Sequence, residues 1–268
     1  MKYVQRFGRT ERVLHGFLML SFLGLALTGM PLLFAGAPWS GRLAALFGGI
    51  TTAGLLHRLF AVVLIAVFAV HLGRLLRRVI VDKDYSIFWG PTSLVPQPRD
   101  LADILQHFAW FVGRGPRPAF DRYTYWEKFD YWAVFWGMGI IGGSGLMLWF
   151  PEVFAWLLPG WMFNIALLVH GEEALLAVGF IFTIHFFNGH LRPEKFPMDM
   201  VIFTGRVTEE ELRHERPAEY ARLLESGDLA TVTELTPSTL AIGRVVGSLA
   251  VATGLILVGL IVFAVVTH

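Results

Sequence analysis

Two apolar stretches of the chain each carry a histidine at both ends. His57 and His71 enclose "RLFAVVLIAVFAV", and His170 and His185 enclose "GEEALLAVGFIFTI". His57 and His71 are 14 residues apart, so in a helix they lie within about 40° of one face and about 21 Å apart along the axis. His170 and His185 are 15 residues apart and lie within about 60° of one face. Two helices therefore offer an imidazole at each of two depths.

Paired imidazoles on facing helices are typical of iron ligation. An ionisable side chain inside an apolar helix is costly and usually functional. Two opposed imidazoles can hold the iron of a flat macrocycle from both sides, which leaves no open coordination position and favours electron transfer. The sequence has no cysteine, which excludes thiolate-bound iron–sulfur clusters and c-type haem attachment. We predict two stacked b-type haems; the alternative for any single histidine is a hydrogen bond to a backbone carbonyl.

The composition of the chain is that of a membrane protein. Of its 268 residues, 55% are hydrophobic and 16% are charged, whereas about 25% charged residues is usual in soluble domains. A run of about 20 apolar residues is long enough to cross a bilayer. Five such runs lie at 13–36, 53–76, 129–150, 161–188 and 240–266. The predicted fold is an all-α integral membrane protein, with a four-helix transmembrane haem-binding bundle and a fifth, C-terminal transmembrane helix.

Positive charges are concentrated in alternate connections. They precede the first run, fill the connection between the second and third runs and follow the fourth, whereas the 37–52 connection has only Arg42 and the 151–160 connection has none. The positive-inside rule then places the N-terminus and the long connections in the cytoplasm and His268 on the periplasmic side. We expect a multi-pass protein of the bacterial inner membrane. The charged start lacks a small-residue cleavage site, so the first run is predicted to be a retained helix.

The predicted domains follow this pattern. Residues 1–200 form the di-haem membrane domain, which includes a cytoplasmic connection at 79–128. In that connection, apolar residues at helical spacing, with Asp100 near the start and Gly113 near the end, predict an amphipathic helix on the membrane surface. The remaining parts are predicted to be a cytoplasmic helical segment at 201–238 and the additional transmembrane helix at 239–268.

Arginines near the ends of the apolar runs are candidates to bind haem propionates. A guanidinium at this position can pair with a carboxylate, although such arginines are also common at membrane boundaries without a cofactor. Glycines in the first and third runs would let a flat cofactor or another helix approach the backbone closely. The propionate candidates are Arg9, Arg12, Arg58 and Arg74.

Four segments, in this order, resemble a known family. They are "RTERVLHGFLMLSFLGLALTG", "LLHRLFAVVLIAVFAVHL", "YWEKFDYWAVFWGMGIIGGSGLMLWFP" and "LLVHGEEALLAVGFIFTIHFFNGH". Together they resemble the gamma (cytochrome b) subunit of respiratory formate dehydrogenases and the related b subunits of membrane Ni-Fe hydrogenases and thiosulfate reductases. The similarity covers about residues 1–225 and includes the charged segment "TGRVTEEELRHERPAEYARL".

The resemblance implies a ligand set for each haem. The outer haem would be held by His57 and His170, and the cytoplasmic-side haem by His15 and His185. His71 has no counterpart in this set; it is an alternative partner of His185 or a ligand of a third haem. The resemblance also implies a quinone site beside the cytoplasmic-side haem, near the start of the third run. The quinone and proton-transfer candidates are Tyr123, Trp126, Glu127, Lys128 and His190.

The expected function is electron transfer across the membrane. Electrons would pass between quinone or menaquinone and a redox subunit on the outer face, which is periplasmic or membrane-anchored and carries iron–sulfur clusters or multiple c-type haems. The chain has no substrate-specific catalytic centre of its own, and its other expected partner is membrane lipid, with no role for nucleic acid. The alternative is a transporter or proton channel without haem, lined by histidines with Glu172 and Glu173.

Overall fold

The computed structural model describes residues 2–196, 198–232 and 237–267. The predicted periplasmic position of His268 lies outside the described residues. Five helices are long and apolar enough to cross a membrane, so the chain is a mostly helical, multi-pass membrane protein, as predicted. These spans are I (Arg9–Leu33), II (Ile50–Ile80), III (Tyr125–Trp149), IV (Trp161–Leu191) and V (Thr239–Thr267).

Two of the five spans contain π-helical segments, in which the backbone hydrogen bonds join residues i and i+5. Span III changes from α-helix to π-helix at Met138–Gly142 and returns to α-helix at Gly143–Trp149. Span IV is α-helical over Trp161–Phe180 and then contains the π-helical segments Ile181–His185 and Phe187–Leu191. Such segments occur frequently at functional sites.

Short helices occupy the connections. The longest begins at Pro98 and ends at Phe111, as the sequence predicts for an amphipathic helix. At its start, the Asp100 carboxylate accepts a hydrogen bond from the backbone N–H of Gln97 at 2.6 Å, and after its end Gly113 has a φ of 72°, a conformation that glycine adopts readily. The other short helices are Ser40–Ala45, Tyr85–Ile87 (3₁₀), Pro151–Phe154, Val201–Thr204, Glu209–Glu215 and Pro217–Glu225, and the helix of span V begins at Pro237.

A small antiparallel sheet, which the sequence did not predict, joins the N-terminus to the segment after span IV. Its strands are β1 (Tyr3–Gln5), β2 (Arg206–Thr208) and β3 (Thr231–Val232), in the order β2-β1-β3. Tyr3 is opposite Thr208 in β2 and Val232 in β3. Strands of two or three residues are too short to produce a recognisable alternation of polar and apolar residues.

The chain divides into two compact units, named here by content. The connection unit contains the described residues of 1–12, 72–134 and 200–240, and the bundle unit contains those of 13–71, 135–199 and 241–268. Each unit has its own core. In the bundle unit, residues of spans I, IV and V form one apolar cluster that includes Ala26, Met30, Val178, Phe182, Phe186, Leu257 and Ala264.

Span V packs closely against span IV. A Cβ placed on Gly254 would overlap the Phe182 ring and would stand 2.8 Å from Cε2 of Phe186. Only glycine lets the two helices approach to this distance. The additional helix therefore belongs to the core of the bundle unit.

A buried carboxylate organises the connection unit. Glu219 is 1% exposed and pairs with the guanidinium of Arg6 and with that of Arg122, the second contact being 3.0 Å. Arg6 and Arg122 also donate hydrogen bonds to each other's backbone carbonyl. This cluster ties the N-terminal strand to the segment before span III and to the helix Pro217–Glu225.

Replacing Glu219 by alanine should destabilise the connection unit strongly. The substitution leaves the buried guanidinium of Arg6 and the partly buried one of Arg122 without their shared carboxylate, and breaking a buried ion pair in this way costs about 3–5 kcal/mol. We expect an earlier thermal unfolding transition of the purified protein in detergent, followed by tryptophan fluorescence. Glu225→Ala, an exposed position on the same helix, is the matched control, and equal transitions for the two variants would contradict the prediction.

Candidate functional site

Two histidines from neighbouring spans face each other inside the bundle unit. The ring centroids of His57 and His170 are 6.2 Å apart, and the two ring planes are inclined by 78°. Both residues were predicted to form a pair at one depth. The structure brings these two predicted site residues together.

The ring of His57 is oriented by span I. Its Nδ1 lies 3.1 Å from Oγ1 of Thr28, and the ring also interacts with the backbone of Leu25. The Thr28 hydroxyl donates its hydrogen to the carbonyl of Gly24 at 2.6 Å, so its oxygen accepts from the imidazole. Nδ1 therefore carries the hydrogen, which leaves the lone pair of His57 on Nε2.

The ring of His170 is oriented by span III in the same manner. Its Nδ1 lies 3.0 Å from the carbonyl oxygen of Ile141 and 3.3 Å from Oγ of Ser144. A carbonyl can only accept, so Nδ1 is the protonated nitrogen here as well. The carbonyl of Ile141 belongs to the π-helical segment of span III, where the altered hydrogen-bonding pattern leaves it accessible to the imidazole.

A glycine on each neighbouring span makes room for the imidazole. A Cβ on Gly29 would stand 2.9 Å from Cε1 of His57, and a Cβ on Gly145 would stand 3.0 Å from Cε1 of His170. Both distances are too short for a real carbon contact. Alanine at either position would push the ring away.

The distance between the two rings suits a metal ion. A metal–imidazole bond of about 2.0–2.1 Å, added to about 1.2 Å from nitrogen to ring centroid, gives about 6.4 Å between the centroids of two opposed ligands. The observed separation is 6.2 Å. Among the described residues, no group of three or more histidine or acidic side chains is placed to hold a metal. A haem, which leaves two axial positions for imidazole, fits this pair.

A second group of histidines lies at another level of the bundle unit. His15 of span I is within electrostatic reach of His185 and His190 of span IV. His15 and His185 were predicted as partners. His15 interacts electrostatically with His185 and also with His190, so the pairing of His15 with His185 stays a prediction.

The π-helical segment Ile181–His185 changes the position of His185 relative to His170, which lies 15 residues earlier in span IV. In a regular α-helix, His185 would lie about 60° from the face of His170. A π-helical turn takes up about one additional residue, so His185 occupies the position of a fourteenth residue. The offset then becomes about 40°, which is the offset between His57 and His71 in span II.

His71 has a different neighbour. Its ring centroid is 6.2 Å from that of Phe135 in an edge-to-face arrangement with an interplanar angle of 70°. His71 therefore packs against an aromatic ring of span III, and its predicted role as alternative partner of His185 or ligand of a third haem stays a prediction.

Three of the four predicted propionate ligands have protein partners. Arg58 lies over the ring of Trp149 with 5.7 Å to its centroid. Arg74 pairs with Glu11 at 2.7 Å in an exposed contact, which is weak because water screens it. The remaining two are Arg12, whose Nη1 donates to the Phe203 carbonyl at 2.7 Å, and Arg9, which is exposed.

The predicted quinone candidates are divided between the two units. Tyr123, Trp126, Glu127 and Lys128 belong to the connection unit, and His190 belongs to the bundle unit. Nδ1 of His190 is buried and has no hydrogen-bond partner among the described residues. Among the quinone candidates, His190 therefore has a buried ring nitrogen that can make a hydrogen bond to a quinone.

Glu127 and Lys128 are both engaged in structural contacts. Oε2 of Glu127 accepts a hydrogen bond from the backbone N–H of Thr124 at 2.7 Å, which caps the start of span III. The other oxygen of Glu127 pairs with Arg216 at 2.9 Å. Lys128 is buried, and its Nζ lies 2.8 Å from both carboxylate oxygens of Asp100.

A polar cavity of about 200 Å³ lies in the connection unit. It contains Asp103, which the sequence gave no reason to single out; burial raises the pKa of this carboxyl group, although Arg99 opposes the shift. Near it, Nδ1 of His107 lies 3.0 Å from the hydroxyl of Tyr125. The residues lining the cavity are Gly90, Pro91, Gln97, Arg99, Asp100, Asp103, Asp121, Tyr123 and Lys128.

Thr28 and Ser144 were also absent from the predicted site. A signal for them exists in the sequence, because each precedes a glycine in a transmembrane run, in "LTG" and "GSG". Hydroxyl residues are so common in membrane helices that this signal is weak without the position of the histidine.

Alanine at Gly29 or Gly145 should remove the capacity of the histidine pair to hold a metal. The added methyl group displaces the imidazole, and a shift of this size breaks an axial bond of about 2.0 Å. We expect less bound iron per chain in each variant, measured by elemental analysis of the purified protein. Gly16→Ala and Gly139→Ala, on the same two spans with nothing within 4 Å of the added carbon, are the controls; equal iron content in all four variants would contradict the prediction.

Comparisons with known proteins do not identify the chain. No protein-family model matches it, and no curated protein is significantly similar to it. The resemblance to cytochrome b subunits therefore stays a prediction. What bears on function is the arrangement of the histidines themselves.

Proposed function

We propose that the protein is a membrane b-type cytochrome that transfers electrons through two haems, each held by two histidines. The observation that carries this proposal is the opposed pair His57 and His170, with ring centroids 6.2 Å apart. Both rings present Nε2, the nitrogen that would bind iron, because Nδ1 is hydrogen-bonded to a neighbouring span. A bound haem supplies reversible one-electron chemistry.

The second haem would lie at the level of His15 and His185. These residues are close in the bundle unit, and His185 stands about 21 Å along span IV from His170 once the π-helical segment is taken into account. Two levels at this spacing would cover most of a hydrocarbon core about 30 Å thick. His71 is retained as the alternative partner of His185 or as a ligand of a third haem.

Quinone would exchange electrons and protons beside the second level. His190 supports this assignment, since its buried Nδ1 has no partner among the described residues and can donate to or accept from a quinone oxygen. Within the connection unit, burial raises the pKa of the Asp103 carboxyl group at the polar cavity; that group is a separate candidate for proton transfer.

The partner would be a redox subunit on the outer face, in the manner of the gamma subunits of formate dehydrogenases. The charge distribution supports an orientation with the N-terminus and the arginine-rich connections in the cytoplasm of a bacterium. Substrate chemistry would belong to the partner, which carries iron–sulfur clusters or c-type haems. The described chain supplies the route between that subunit and the quinone pool.

Haem loading tests the proposed function. Purified protein should contain about two haems per chain, with a b-type band in the dithionite-reduced minus oxidised spectrum. His57→Ala and His15→Ala should each lose about one haem, because a haem with one axial histidine is weakly held. His71→Ala should keep both.

The other outcomes of this experiment are equally informative. The reverse pattern for His15 and His71 would make His71 the inner ligand, and about three haems per chain would assign it a haem of its own. Folded protein without haem would overturn the proposal and favour the transporter or proton channel.

Substituting His190 tests the quinone site. His190→Ala removes the proposed proton-transfer group, so haem reduction by a quinol should slow by at least about 100-fold, measured by stopped-flow absorbance. The dithionite-reduced spectrum should not change. His214→Ala, at an exposed position, is the control, and a wild-type quinol rate in His190→Ala would remove His190 from the site.

A further inference from the structure

We propose that Thr28 and Ser144 are positioning residues that orient the two opposed imidazoles and set the reduction potential of the haem between them. This inference rests on the proposed function. Thr28 and Ser144 contact the histidines and not the cofactor. The same local arrangement of residues around the imidazole occurs on span I and again on span III.

The first copy of the arrangement lies on span I. The hydroxyl of Thr28 donates to the carbonyl four residues earlier, Gly24, at 2.6 Å. Nδ1 of His57 lies 3.1 Å from the Thr28 oxygen, and the ring interacts with the backbone of Leu25, three residues before the threonine. The next residue, Gly29, leaves space for the ring.

The second copy lies on span III and has the same spacing. The hydroxyl of Ser144 donates to the carbonyl four residues earlier, Ile140, at 2.6 Å. The N–H of His170 is held between the serine oxygen, at 3.3 Å, and the carbonyl of Ile141, three residues before the serine, at 3.0 Å. Gly145 again follows the hydroxyl residue and leaves space for the ring.

Burial makes these contacts significant. Thr28 is 0% exposed and Ser144 is 7% exposed, so water does not compete for the hydroxyl groups. Donation of the hydroxyl hydrogen to the helix carbonyl fixes the side-chain rotamer and turns the oxygen toward the imidazole. The hydroxyl therefore acts as an acceptor at a defined position on each ring.

An acceptor on Nδ1–H makes an imidazole a stronger donor to a metal. A stronger donor stabilises the oxidised iron, and so lowers the reduction potential of the centre. Removing the hydroxyl leaves only the backbone acceptor. The potential should therefore rise, and it should rise further for Thr28 than for Ser144, because the threonine oxygen is nearer to its histidine (3.1 Å against 3.3 Å).

The experiment is a redox titration of purified protein, followed by haem absorbance, for Thr28→Val, Thr28→Ser and Ser144→Ala. Valine keeps the shape of threonine and removes the hydroxyl. We expect a higher potential for one haem in Thr28→Val, a smaller rise for the same haem in Ser144→Ala, and the wild-type value in Thr28→Ser. The low-spin EPR signal of that haem should also change in Thr28→Val, since the orientation of an axial ring is released.

Thr183→Val is the matched control. Thr183 makes the same helix contact, donating to the carbonyl of Gly179 at 2.6 Å, but it is exposed on span IV. It should leave both potentials unchanged. Wild-type potentials for both haems in Thr28→Val and Ser144→Ala would overturn the inference. If Thr28→Val does not retain the haem, the potential measured for Ser144→Ala alone tests the inference. Wild-type protein without haem would instead overturn the proposed function.

Discussion

The bundle depends on which hydrogen-bond acceptors an imidazole N–H finds inside an apolar environment. A buried donor without an acceptor is costly, and His57 and His170 resolve this by bonding to the backbone and hydroxyl groups of the span beside each of them. The bond determines which nitrogen carries the hydrogen and leaves the lone pair on Nε2. The glycine that follows each hydroxyl residue is a consequence, because a ring this close to a helix backbone leaves no room for a Cβ.

The irregular parts of the helices lie near the histidines. Span III presents to His170 the carbonyl of Ile141, which belongs to the π-helical segment Met138–Gly142. Span IV has a different need, because its two histidines are 15 residues apart. The segment Ile181–His185 absorbs about one residue before His185. Of the three π-helical segments, one contacts His170, one ends at His185 and one contains His190.

The sequence predicted the five spans because long apolar runs are unambiguous, and it predicted the pairing of His57 with His170 from spacing and resemblance. The amphipathic helix Pro98–Phe111 was also predictable from its apolar spacing and its capping residues. The sheet was not predictable, because its strands are held by pairing partners about 200 residues apart in the chain. None of the three π-helical segments was predictable, since helical periodicity shows a preference for a face and not a local change of hydrogen bonding.

Two of the predicted proton-transfer groups, Glu127 and Lys128, are held in structural contacts in the connection unit. A carboxylate that caps a helix and pairs with a guanidinium, as Glu127 does, loses both contacts when it is protonated, and an ammonium held between two carboxylate oxygens, as Lys128 is, loses its ion pair when it is deprotonated. Each proton transfer would therefore work against the fold. The buried Nδ1 of His190 has no such commitment among the described residues. The proposed proton exchange with a quinone would therefore use His190, while Glu127 and Lys128 hold the start of span III in place.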